Sequence, residues 1–103
     1  MIELFEDQTN NCITITIYHD FEAHDEEKIN QIKEKITESD SKKIMLNCEH
    51  CHFITSSGIE SLLNLRNECL RLNKTFEMGA ISEELVTIFK MTRNDVVLIG
   101  VKK

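Results

Sequence analysis

The sequence predicts an α/β protein: a mixed, mainly parallel sheet after an N-terminal hairpin, with covering helices, in the order β-β-α-β-α-β-α-β. Three observations carry that expectation. Cys12-Ile13-Thr14-Ile15-Thr16-Ile17-Tyr18 alternates isoleucine with threonine at the two-residue period of a half-buried strand. Ile29, Ile32 and Ile36 recur at i, i+3 and i+7 among acids and lysines, the stripe of an amphipathic helix. From there strand-like and helix-like segments alternate, and such alternation implies right-handed crossovers between parallel strands.

Taken in order, residues 2–5 and 12–18 form the hairpin, joined by the turn residues Asp7-Gln8-Thr9-Asn10-Asn11. Asp25 to about Glu38 is the first helix. Lys43-Ile44-Met45-Leu46-Asn47-Cys48 is a short apolar run bounded by polar residues, as expected of a strand buried on both faces. Ile59, Leu62, Leu63, Leu65, Cys69 and Leu72 mark the longest helix, about residues 57–72. Lys74 to Met78 is the next strand, ending at Gly79. Ser82 then caps a helix carrying Leu85, Ile88 and Phe89, with Glu83 and Glu84 in the first turn where carboxylates suit the helix dipole. Val96-Val97-Leu98-Ile99 is the last strand. With no proline, repeat or low-complexity tract, residues 1–103 are expected to be a single domain.

A net charge of −6 and a pI near 5.2 argue against nucleic-acid binding, which needs a basic face to displace counterions from phosphates. No run approaches the ~20 apolar residues of a membrane span, and the N-terminus lacks the pattern of a signal peptide. The expected compartment is the cytoplasm, where Cys12, Cys48, Cys51 and Cys69 are kept reduced.

Phe53-Ile54-Thr55-Ser56-Ser57-Gly58-Ile59-Glu60 joins a strand end to the long helix. Ser57 and Glu60 have the Ser-x-x-Glu spacing of a capping box, so Ser57 is expected to cap the helix and Gly58 to permit a tight turn into it. Those roles account for the turn without any modification, and they leave Ser56 unused. A phosphate on Ser56 would place roughly two negative charges beside the positive end of a helix, where free N–H groups suit an anion. Its effect would fall on whatever docks over that helix end.

The segment Leu46-Asn47-Cys48-Glu49-His50-Cys51-His52-Phe53-Ile54-Thr55-Ser56-Ser57-Gly58-Ile59 resembles the central motif of STAS domains, the "sulfate transporter and anti-sigma antagonist" family, in which a strand leads through Phe-Ile/Met to Asp-Ser-Ser-Gly-Leu/Ile. Asp20-Phe21-Glu22-Ala23-His24 sits where that family has a Gly-Glu-Leu-Asp-like turn, and Ile81-Ser82-Glu83-Glu84-Leu85 resembles its Val/Ile-Ser-Pro-Glu-Val segment. The resemblance implies a four-helix-on-sheet module that works by binding. In the antagonist branch the unphosphorylated domain docks on an anti-sigma factor that is also a serine kinase; the kinase phosphorylates the first serine of the motif, and a phosphatase resets it. Carried onto this sequence, that serine is Ser56, with Thr55 and Ser57 as alternative acceptors and Glu22, Thr55, Ser56, Ser57, Gly58 and Ile59 as partner-binding residues. Two positions depart from the pattern: Thr55 stands for the usual aspartate, and Glu22 for the aspartate of the first-helix turn. Met91-Thr92-Arg93-Asn94 also lacks the family's glycine after threonine. An unphosphorylated STAS adaptor of a signalling or transport complex is the alternative reading.

Cys48-Glu49-His50-Cys51-His52 spells Cys-x-x-Cys-His, the pattern of c-type haem attachment and a source of zinc ligands. Haem attachment of that kind belongs outside the cytoplasm, and further zinc ligands lie far off in sequence. Cys48 and Cys51 are therefore expected to be small buried apolar residues, and no cofactor or metal is assigned. His19 and His24, five apart, fit neither a helix face nor a metal pair and are expected in turns or on the surface. No catalytic constellation or glycine-rich phosphate loop is present, so no enzyme activity is expected, and the family resemblance implies that the domain is itself the substrate of modification.

Overall fold

A computed structural model describes residues 2–94 and Leu98. β1 (Ile2–Asp7) and β2 (Cys12–Ile17) form the antiparallel hairpin, followed by α1 (Asp25–Glu38), β3 (Lys43–Cys48), α2 (Ser56–Arg71), β4 (Thr75–Ile81) and α3 (Glu83–Met91). The sheet order is β1-β2-β3-β4, with β2, β3 and β4 parallel and β1 at an edge. Of the four helices that the resemblance implies, three lie within the described residues. The strand expected at 96–99 falls outside them except for Leu98, which is helical: its N–H donates to the Asn94 carbonyl at 2.9 Å.

Strand alternation decides which face is covered. Ile13, Ile15 and Ile17 of β2 and Ile44, Leu46 and Cys48 of β3 are all buried, and they form one cluster with Ile29, Ile32 and Ile36 of α1, Ile59, Leu62, Leu65 and Cys69 of α2, and Leu85 and Phe89 of α3. The helices thus make a single layer on one side of the sheet. Each isoleucine buried this completely contributes about 1.5 to 3 kcal/mol. β3 is consequently not buried on both faces. Its Lys43, Met45 and Asn47, in register with Cys12, Thr14 and Thr16 of β2, are only half-covered.

β4 runs past Gly79 to Ile81, two residues beyond the expected end. The register between β3 and β4 shifts between Leu46 and Cys48, where Asn47 Oδ1 accepts the Ala80 N–H at 3.0 Å. A Cβ at position 79 would collide with that Asn47 oxygen, which explains a glycine inside the strand.

At the N-terminal ends of the parallel strands, buried Lys74 donates from Nζ to the Ser39 carbonyl at 2.8 Å and to the Ser41 carbonyl, while Glu6 Oε2 accepts from both serine hydroxyls. This network ties the C-terminal end of α1 to β1 and β4. A depression of about 400 Å³ at this end is lined by Glu6, Gln8, Asn11, Glu38 and Asp40 among others.

Candidate docking surface

Because β2, β3 and β4 are parallel, the loops that follow them emerge at the same end of the sheet. Those loops carry the Ser56 turn, Glu22 and the Cys48–His52 segment.

An isolated parallel bridge between Phe21 and Ile54 brings the first two loops together, and the Phe21 N–H donates to the Phe53 carbonyl at 2.9 Å. Phe21 is fully buried, and its ring sits against the first turn of α2: a Cβ built on Gly58 would lie 2.5 Å from Phe21 Cδ1 and 2.7 Å from Ile54 Cγ1. Gly58 is therefore needed for close packing of helix on loop, and not for a turn. Glu22 is exposed beside this contact, its amide donating to the buried Asp25 carboxylate at 2.9 Å.

The helix cap corrects the expectation drawn from the Ser57-x-x-Glu60 spacing. α2 begins one residue early, at Ser56, and its cap is Thr55, whose Oγ1 accepts the Gly58 N–H at 3.0 Å. The cause is a contact between loops: the bridge from Phe21 to Ile54 keeps the chain extended through Thr55 (φ −77°, ψ 165°), so the threonine reaches the capping position first. Ser57 instead lies 3.2 Å from Thr55, hydroxyl to hydroxyl. Ser56 and Ser57 are exposed, Thr55 is half-buried, and Gly58 and Ile59 are buried. Among the described residues, Ser56 Oγ has no hydrogen-bond partner, so two of the three hydroxyls in the turn are engaged and one is not.

The third loop joins through Ser82. Its hydroxyl accepts the Leu85 N–H at 3.2 Å, the cap expected of it, and also donates to the Cys51 carbonyl at 2.6 Å. His52 adds two links: its amide donates to Asp20 Oδ1 at 2.9 Å, and its ring lies 3.0 Å from Glu84 Oε1. The hydrogen bond to His52 holds the Glu84 carboxyl below the usual range. These contacts span more than 30 residues of chain, and no local pattern announces them.

Cys48 and Cys51 are fully buried and burial pushes both thiols up; Cys51 Sγ donates to the Phe53 carbonyl at 3.4 Å. His52 turns outward to Glu84, so the Cys-x-x-Cys-His pattern is divided between core and surface. His19 and His24 lie on the loop before α1, each with Nε2 3.7 Å from Asp25 Oδ1, and His24 Nδ1 is 3.6 Å from Glu22 Oε1. Among the described residues, no helix is long and apolar enough to cross a membrane.

A family model described as the STAS domain matches residues 6–101. Among solved structures, the chain is similar to the anti-sigma factor antagonist SpoIIAA in its unphosphorylated form, with TM-score 0.79 and 18% identity, covering 100% of this chain and 90% of that one. It is also similar to the Bacillus cell fate determinant SpoIIAA in the phosphorylated form, with TM-score 0.72 and 18% identity, covering 100% of this chain and 93% of that one. Among curated protein sequences, none matches.

Proposed function

The chain belongs to the STAS domain family, and on that premise we propose that it is an anti-sigma-factor antagonist: a non-enzymatic cytoplasmic module that docks on a serine-kinase anti-sigma factor and is switched off by phosphorylation at Ser56. The observation that carries the reading is the position of Ser56. It is exposed at the first residue of α2, its hydroxyl free among the described residues, while Thr55 and Ser57 hold each other. The amides of Ser56 and Ser57 precede the first intrahelical bond, Ile59 N–H to the Thr55 carbonyl at 2.9 Å, and Thr55 already satisfies Gly58. A phosphate at Ser56 would thus add charge at a helix end that favours anions, with no native hydrogen bond to break. The fold would stay intact and the docking surface would change. Glu22, Thr55 and Ser57 complete that surface, the buried Gly58 and Ile59 expected there support it from beneath, and a phosphatase would reset it.

Incubation with a serine-kinase anti-sigma factor encoded beside this chain, with ATP, tests the reading by mass spectrometry and pull-down. Phosphate is expected on Ser56, with the phosphorylated chain binding at least tenfold more weakly than the unphosphorylated one. If Ser56 stays unmodified while binding persists, the switch is absent.

One observation favours a second reading, an unphosphorylated adaptor subunit: Thr55 gives the turn no carboxylate beside Ser56. In that case Ser56→Asp would bind as the parent does.

A further inference from the structure

The end of the sheet that carries Ser56 contains no cationic side chain from its own loops. Segments 18–25, 48–60 and 80–84 hold seven of the chain's 18 acidic residues, all four histidines, and none of its 12 lysines and arginines. Asp20, Glu22, Glu49, Glu60 and Glu84 are exposed there. Among them Phe53 keeps 54% of its surface in solvent. Its backbone is fixed, because its carbonyl accepts from both the Phe21 amide and the Cys51 thiol. Tyr18, 44% exposed, adds a second aromatic surface, stacked on His50 with ring centroids 6.1 Å apart.

A large apolar side chain on a pinned loop with an acidic surround has the anatomy of an interface anchor with a polar rim. We propose that this end docks a protein that offers an apolar pocket for Phe53 rimmed by arginine or lysine. The proposal rests on the docking reading above and specifies the chemistry of the partner. Charge complementarity selects the occupant: with no lysine or arginine in these segments, an acidic face would meet mainly like charge, and a basic face meets carboxylates from two loops and the first turns of α2 and α3. The rim steers and orients the approach, and Phe53 determines how long the complex lasts. A phosphate at Ser56 has the same sign as the rim. It therefore releases a basic partner by its bulk and by the cost of desolvating a dianion at the contact, and not by charge repulsion.

The test is an amide-shift titration of the full chain with a twelve-residue peptide of alternating arginine and leucine, in low salt and in high salt. The expected shifts cluster in residues 18–24 and 49–60 and are absent around Asn11, Ser39 and Asp40, where Glu6 and Glu38 supply acids but the exposed aromatic, Phe5, lies within edge strand β1 and not on a loop. Phe53→Ser, at an exposed position, weakens binding about tenfold or more with the fold's shift pattern preserved. Glu22→Gln combined with Glu49→Gln weakens it severalfold in low salt and little in high salt. Shifts spread over both ends, or Phe53→Ser binding as tightly as the parent, would overturn the proposal. Neither Ser56 nor a kinase enters this experiment, so its failure is separate from failure of the phosphorylation reading.

Discussion

The hydroxyl of Thr55 accepts the Gly58 amide proton at 3.0 Å, so the residue standing where the STAS motif has aspartate performs the helix capping that a carboxylate performs equally well. The departure that the sequence shows at this position is structurally conservative. What it removes is a negative charge next to Ser56.

Thr55→Ala is expected to lower unfolding free energy by about 1 kcal/mol, within the 0.5 to 2 kcal/mol typical of lost caps. Thr55→Asp should match the parent within a few tenths of a kcal/mol. Urea denaturation measures both, and equal stability of all three chains would show that the cap contributes nothing.

Gly58→Ala sets two effects against each other. Alanine is the better helix former by about 1 kcal/mol, but its methyl group meets Phe21 at 2.5 Å and Ile54 at 2.7 Å, where overpacking costs about 1 to 3 kcal/mol. Both neighbours are buried, so a net loss on the order of 1 kcal/mol is expected, read as a lower melting temperature. A raised melting temperature would mean that the Phe21 ring moves aside freely.

His52→Ala should raise the Glu84 pKa, observed by carboxylate NMR, because the hydrogen bond from His52 is the main cause of its depression. A carboxyl held low in the folded state adds stability above its unfolded pKa and loses it as pH falls through the folded one. The parent's advantage over His52→Ala should therefore vanish in acid. Both side chains are more than half exposed, so salt should shrink the effect.

Thiol labelling at pH 8 with an aromatic disulfide is expected to show one fast cysteine. Cys12 is half-exposed, whereas Cys48, Cys51 and Cys69 are buried, with burial pushing Cys69 up to about 11. Three thiols should react only at the pace of unfolding. Two fast thiols in the native chain would contradict the burial of the Cys48–Cys51 segment.

Elements set by local periodicity were readable in the sequence. The isoleucines at 29, 32 and 36 define α1, and the alternation in β2 places Ile13, Ile15 and Ile17 in the core. What depended on contacts across the fold was not. Thr55, Ser56 and Ser57 all carry hydroxyls, and choosing the cap required knowing that Phe21 bridges Ile54 and extends the chain to Thr55. Gly79 resembles a strand terminator until Asn47 is seen beneath it. The Cys48-to-His52 pattern reads as a ligand set in one dimension, and strand alternation followed by a turn sends its members in different directions. Family resemblance located Ser56, and geometry explains why that hydroxyl is the available one.

The edge position of β1 bears on how the molecule behaves in concentrated solution. A strand with one neighbour presents backbone groups to which another chain can pair. Of its six residues, Glu3, Glu6 and Asp7 are acidic. Hydrogen bonds from Ser39 and Ser41 to Glu6, and from Asn10 to Asp7, hold these two carboxyls below the usual range. The edge therefore retains its charge further into acid than ordinary carboxylates would, and mutual repulsion between copies persists there. Pairing of two such edges in mild acid is thus opposed through the turns at 8–11 and 39–41, far from the candidate docking surface.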